Sequence, residues 1–585
     1  MTTRSLVDPD WYLGTVAVVT ADTVNVNLPL ASAIGERRRL ARGAVGDFVF
    51  IDCEQVKVLG RIVEVKVSDA ERLRLEPKLG EATETHPTGR IQLLASVEQG
   101  SDRLSRGIKS YPRVGDNVYL APGAVLSALL SASTASADEL AINMGRLDIA
   151  DRVGLKISIE RLVGRHCGIL GATGGGKSWT VAALIERIKE VGGKAIVVDP
   201  TGEFGTLTSI DAHYAFDTEE EGTSQVHFPY QEMTEDDLFV LLRPSGQTQG
   251  PKLREAIRSL KLVTATGGVR PANVIYRDGV VEKRRQLRVP FFAAVAAHDQ
   301  ALNNQLCRFD LRHLPSQISE ECVWSTDRND QTRWGDTENT QQSYCETLIA
   351  RCRMLISAPE LRCLFGTAGR SLVDVMTEFF ASDAQDVMRI SFRNVRFEHN
   401  TREVLLNIVG RYLLSVARAG QFKAQPLVVF LDEAHQFLGR TIGDEYASAR
   451  LDAFGLIAKE GRKYGLTCVL ATQRPRDVPE DVLSQIGTFI VHRLTNDGDR
   501  HVVERACGDL DRNAAAFIPT LSPGEAIIIG PDLPAPLPLA IDRPKKAPSS
   551  HGPDFKMAWT ERLQRKQRQA QRPHRRPVAG PRRGQ

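Results

Sequence analysis

Between residues 12 and about 150, apolar residues fall in short β-branched runs: Gly14-Thr-Val-Ala-Val-Val, Val24-Asn-Val-Asn-Leu, Gly46-Asp-Phe-Val-Phe-Ile and Leu59-Gly-Arg-Ile-Val-Glu-Val-Lys-Val. Gly and Asp turns separate them at the spacing of a small barrel, and Arg90–Val97 and Asp116–Leu120 add further strands. From about 150 to 205 the pattern changes to strand, loop, helix, strand, the alternation of a parallel sheet. Residues 215–405 read as mainly helical and polar, with periodic segments such as Pro251–Leu262. An α/β pattern resumes at Leu427 and runs through Gly530. The expected architecture is therefore α/β in three parts. They are a β-barrel over 1–150, a core over 151–540 interrupted by a helical insertion at about 215–405, and a basic, flexible tail over 541–585.

Composition narrows the class. A 585-residue chain with 42% hydrophobic and 25% charged residues is globular, with room for two to four domains, and is neither a disulfide miniprotein nor a disordered chain. Nine cysteines contain no C-x-x-C pair, and the closest cluster, Cys345, Cys352 and Cys363, lacks zinc-ligand spacing; buried reduced thiols are expected. Met1–Trp11 carries Arg4, Asp8 and Asp10 and no apolar core, so it does not read as a secretory signal. The longest apolar candidate, Ala124–Ala137, is interrupted by Ser and Thr and falls short of the roughly 18–20 residues that span a bilayer. A soluble, cytoplasmic protein is expected.

Charge is unevenly placed. The net +3 conceals a tail, residues 543–585, with 13 Lys+Arg against 2 Asp+Glu, and a body that is mildly acidic. Such a tail suits salt-sensitive DNA contact, and equally a solubilising or partner-docking end, with Met557, Trp559 and Leu563 as docking side chains. Arg37, Arg38, Arg39 and Arg42 form a basic loop that reads as well as a solvated turn as a nucleic-acid or partner contact.

Chemistry concentrates around one motif. Gly171-Ala172-Thr173-Gly174-Gly175-Gly176-Lys177-Ser178 fits the phosphate-binding pattern G-x-x-x-x-G-K-[ST]. The apolar run Cys167–Leu170 precedes it, and Val181, Leu184, Ile185 and Ile188 follow at helical spacing. Glycines let the backbone wrap closely enough for its N–H groups to face phosphate oxygens. Lys177 is placed to reach the β- and γ-phosphates of ATP, Ser178 to ligand Mg²⁺, and Trp179 closes the cofactor-binding stretch. Far downstream, the continuous apolar run Leu427–Leu431 ends in Asp432-Glu433, which suits metal binding by the first acid and activation of water by the second. Lys194–Asp199 leads to Glu203; both acids read as nucleotide neighbours or as a cap and a turn. Leu466–Thr472 ends at Gln473, a candidate to orient the hydrolytic water, or an ordinary strand-end polar residue. Arg462, before that strand, reads as an ion-paired surface residue, or as a finger on a neighbouring subunit's γ-phosphate if the assembly is a ring.

These motifs together resemble the HerA branch of the HerA/FtsK ring ATPases. The resemblance rests on the small N-terminal barrel, Gly171–Ser178, Asp199-Pro-Thr-Gly-Glu203, Leu431-Asp-Glu-Ala-His-Gln-Phe-Leu438, and Gly461-Arg-Lys-Tyr-Gly followed by Ala471-Thr-Gln-Arg-Pro475. It implies a RecA-like P-loop ATPase core with a helical insertion, a homohexamer, and ATP-driven movement of double-stranded DNA. It also implies a nuclease or sirtuin-like effector docked on the barrel, in DNA processing or anti-phage defence; a ring scaffold activating such an effector is the alternative. Carried over by residue, Lys177 and Ser178 hold nucleotide and Mg²⁺, Asp432 the metal, Glu433 the water, and Arg462 is the trans-acting finger. Arg165 matches a second basic residue near the phosphates, though with His166 it equally caps its strand. Where relatives carry Ser, this loop has Gly175.

Overall fold

The computed structural model describes residues 6–31, 43–67, 86–98, 100–147, 154–216, 222–396, 398–438, 441–443, 448–508, 512–549, 555–570 and 584. The basic loop Arg37–Arg42 lies outside them.

Six strands close the N-terminal barrel in the order Thr23–Asn27, Tyr12–Val19, Asn117–Leu120, Phe48–Cys53, Val56–Lys66, Thr88–Glu98. The last pairs back onto the first, Val24 opposite Ile91 and Asn27 opposite Thr88, so no long edge is left open. Alternation decides what each side meets. Leu13, Val24, Val26, Val49, Ile51, Val58, Ile91 and Val118 fill the barrel interior. Phe48, Phe50, Leu59, Ala95 and Val97 point outward into the core shared with the α/β half. Arg61 fastens the seam, its guanidinium 3.8 Å from the centre of the Phe517 ring.

The second half is built on one 13-stranded sheet. Its central strands run parallel in the order Ala212–Phe216, Val387–Ser391, Lys194–Asp199, Leu427–Leu431, Leu466–Thr472, Cys167–Leu170, Thr488–His492. Every position of Lys194–Asp199, Leu427–Leu431 and Leu466–Thr472 is buried, as strands covered on both faces require. Period-two alternation then sorts side chains between two cores. Ile169, Ala195, Val197, Phe430 and Val469 pack with Leu184, Ile185 and Ile188 of the helix Lys177–Glu190. Leu170, Ile196, Val198, Val429 and Leu470 pack on the other face with Leu405, Ile408 and Val409 of the helix Thr401–Arg418.

Three features differ from the sequence expectation. Ala141–Leu147 precedes the boundary expected at residue 150, yet it pairs antiparallel with Leu537–Ile541 in the main sheet. The 215–405 stretch is not helical throughout: Ser224–His227, Arg370–Ser371 and Val387–Ser391 are parallel strands of that sheet. Short strands between long helices carry too few residues for their period to stand out. Within the basic tail, Phe555–Ala570 is helical, as its Lys, Arg, Gln and Glu content favours; Phe555, Trp559 and Leu563, four residues apart, are all exposed. All nine cysteines are free and buried. Among the described residues, no helix is long and apolar enough to cross a membrane.

Candidate nucleotide site

The carboxyl ends of four neighbouring parallel strands meet at one edge of the sheet, on both sides of the point where the chain order switches. Cys167–Leu170 ends there in the glycine loop, Lys194–Asp199 in the turn to Glu203, Leu427–Leu431 in Asp432-Glu433, and Leu466–Thr472 in Gln473.

Sterics explain the glycines. A Cβ on Gly171 would lie 2.7 Å from the Cβ of His492, so no larger residue fits against that strand. Gly176 sits at φ +112°, a conformation side chains avoid, and hands the chain into the helix Lys177–Glu190. The Gly524 amide braces the loop by donating to the Gly175 carbonyl at 3.1 Å. Beneath it, His492 is fully buried. Its Nδ1–H donates to the Glu525 carbonyl and its Nε2 accepts from the Thr180 hydroxyl, each at 2.8 Å. Burial holds its pKa down at about 4, so the ring is neutral.

The Lys177 ammonium lies 2.8 Å from Glu433 Oε1 and 3.8 Å from Asp432 Oδ1. His435, distinguished in the sequence only by its place in the Leu431–Leu438 motif, supports that acid. Its Nδ1 is 3.2 Å from Glu433 Oε2 and 3.1 Å from Thr472 Oγ1. Glu433 itself stands at φ +47°, backbone strain of the kind held at working sites. Burial acts to raise its carboxyl, but the close approach of His435 Nδ1 and the charge of Lys177 outweigh it and hold the group below the ordinary range. Asp432 behaves oppositely: burial, then repulsion from Glu433, Asp199 and Glu203, lifts it to about 7 against the pull of Lys177. The Thr173 hydroxyl donates to Gln473 Oε1 at 2.6 Å, tying the loop to the next strand.

Thr173, Lys177, Glu433 and Gln473 line a cavity of 750 Å³ that also takes in Ser178, Trp179 and Glu203. The residues fit a Mg²⁺-nucleotide. Asp432 Oδ1 and Glu203 Oε2 are buried without a hydrogen-bond partner, and the repulsion among these acids is what a divalent cation relieves. Asp199 resolves toward the cap: its carboxylate accepts from the Gly202 and Phe204 amides at 2.7 and 3.0 Å and from Arg389 Nε at 2.8 Å.

Two of the expected residues do not join this cluster. Arg165 and Arg462 precede the strands whose far ends carry the loop and Gln473, so both lie at the opposite edge of the sheet. Seven residues of strand put roughly 20 Å between the two edges. Arg165 pairs with Asp532 at 3.3 Å, and Arg462 is exposed, close enough to His166 to help burial lower that ring's pKa.

Residues 142–285 match the family described as Helicase HerA, central domain, and residues 403–528 match Helicase HerA-like C-terminal. The chain thus resembles the HerA helicases in both of these domains. The two matches leave residues 286–402 between them and contain the glycine loop, Asp432-Glu433, Arg462 and Gln473. The DNA double-strand break repair helicase HerA of Sulfurisphaera tokodaii is 23% identical over 88% of this chain and 91% of its own. That of Pyrococcus furiosus is 24% identical over 83% of each. Among solved structures, VirB4 of Thermoanaerobacter pseudethanolicus overlays with a TM-score of 0.44 at 12% identity, covering 72% of this chain and 98% of its own.

Proposed function

We propose that this HerA-like ATPase is the motor subunit of a hexameric ring that hydrolyses ATP to move or unwind double-stranded DNA. The observation that carries the reading is the split of the site between two sheet edges. Lys177, Ser178, Asp432, Glu433 and Gln473 gather at one edge, and Arg462 stands exposed at the other. At roughly 20 Å across the sheet, Arg462 reaches a phosphate only by crossing to a neighbouring subunit.

Within a site, the Lys177 ammonium leaves Glu433 for phosphate oxygens and orients them in line with the attacking water. Freed of that ion pair and held by His435, Glu433 takes the proton from the water. Gln473 fixes the water's orientation from the next strand, and Arg462 of the adjoining subunit meets charge developing on the outermost phosphate. Ser178 and Asp432, with Glu203 behind them, would hold Mg²⁺, which when bound neutralises phosphate charge. The named relatives, DNA double-strand break repair helicases, support DNA as the substrate. A nuclease or sirtuin-like effector on the barrel face, in the cytoplasm, in DNA processing or anti-phage defence, completes the proposal.

Mixing Arg462→Ala with Lys177→Ala tests the shared site. Each is inactive alone, and the mixture regains part of wild-type turnover because some interfaces pair an intact Lys177 with an intact Arg462. Full activity of Arg462→Ala alone, or mass photometry finding no species near six times 64.5 kDa, contradicts it.

A further inference from the structure

The 750 Å³ cavity has two chemically distinct ends. Lys177, Glu433, Gln473 and Glu203 make up one, the end that acts on the terminal phosphate. Trp179 is two residues on from Lys177, about 200° around the helix, and so faces away from that end. Its ring meets Arg543, whose guanidinium lies 5.8 Å from the ring centre. Pro523, Gly524 and Ile541 complete this second wall. Its two acids are engaged elsewhere: Glu525 accepts from the Ser522 amide at 2.7 Å, and Asp542 lies 3.8 Å from Arg146.

Arg543 opens a strap that is fastened along its length. The Asp542 amide donates to the Met144 carbonyl at 3.1 Å. The Lys545 amide donates to both carboxylate oxygens of buried Glu186, at 3.0 and 3.1 Å, and Lys545 Nζ reaches Glu190 at 2.9 Å. The Ser549 amide donates to the Glu203 carbonyl at 2.7 Å. Pro544 and Pro548 are buried between these anchors and restrict the backbone. The strap thus runs from Trp179, across the outside of the helix Lys177–Glu190, to Glu203 at the phosphate end.

We propose that Trp179 and Arg543 form the nucleoside subsite of this cavity and that residues 542–549 are the strap that closes it. This rests on the nucleotide reading of the site. A guanidinium plane and a nucleobase both stack on an indole face. The base of the nucleotide takes the place on Trp179 that Arg543 holds without it, and Arg543 covers the outer face of the base. Because the strap also ends on Glu203, occupancy at the nucleoside end is transmitted to an acid beside the phosphates.

Calorimetric titration of the full-length protein with ADP and with inorganic tripolyphosphate, which has no base, tests the assignment. Loss of one stacked base predicts that Trp179→Ala weakens ADP by about 5- to 150-fold while tripolyphosphate is unchanged. Trp179→Phe restores most of the affinity, and Arg543→Ala weakens ADP alone. ADP binding unchanged in Trp179→Ala, or ADP and tripolyphosphate weakened alike in either alanine variant, overturns the subsite. If wild type binds neither ligand, the nucleotide reading itself fails and the subsite with it.

Discussion

Glu433 is the residue on which the site turns. It is buried, strained, paired to Lys177 and steadied by His435, which together describe a carboxylate kept ionised and aimed. His435 is a positioning residue, and its removal has a signature. Without the His435 ring 3.2 Å from its Oε2 the Glu433 carboxyl rises, so the acidic limb of the turnover-against-pH curve moves to higher pH in His435→Ala. An unmoved limb with merely lower turnover makes His435 structural only. The residue scale is also where sequence reading was strongest and where it stopped. Lys177, Ser178, Asp432 and Glu433 announce themselves because phosphate and metal chemistry demand fixed types at fixed spacing. His435 and His492 do not: a lone histidine beside an apolar strand carries no spacing signal, and only packing shows what it touches.

At the scale of elements, the parallel strands and the helix Lys177–Glu190 were legible because a strand buried on both faces writes a continuous apolar run. The strands inside 215–405 and the added strand Ala141–Leu147 were not, since their pairing is decided by distant segments. Neutral buried histidines leave a stability trace in these elements. His166 and His492 both have pKa values lowered to about 4 by burial, with the Arg462 and Lys177 charges adding respectively. The unfolded chain takes up protons on both near pH 6.5 while the folded one does not, so this stability is present above that pH and lost toward pH 4. By pH 5 each contributes a loss of about 2 kcal/mol. Urea midpoints at pH 7.5 and 5.0 read it: the fall is smaller in His492→Gln than in wild type. An equal fall means His492 is protonated in the fold.

On the scale of the whole molecule, the barrel, the sheet and the tail divide the work. The barrel is seated on the sheet through outward Phe48 and Phe50 and through Arg61 on Phe517, which couples the two bodies through one packed core. Ten of the tail's 13 Lys+Arg lie beyond the strap, five of them in the helix Phe555–Ala570, which leaves Phe555, Trp559 and Leu563 uncovered. Truncation after Ser549 removes most of that charge. It is expected to weaken duplex-DNA binding at low salt and flatten its salt dependence while basal ATP turnover stays unchanged. An unaltered salt slope assigns the tail to something other than DNA.

The most direct measurement is steady-state ATP turnover of wild type and Glu433→Gln, each with and without linear duplex DNA. Wild type hydrolyses ATP and is stimulated by DNA, and Glu433→Gln loses turnover by about 10²–10⁴-fold under both conditions while still binding ADP. Turnover that survives Glu433→Gln, or that no DNA stimulates, contradicts the account.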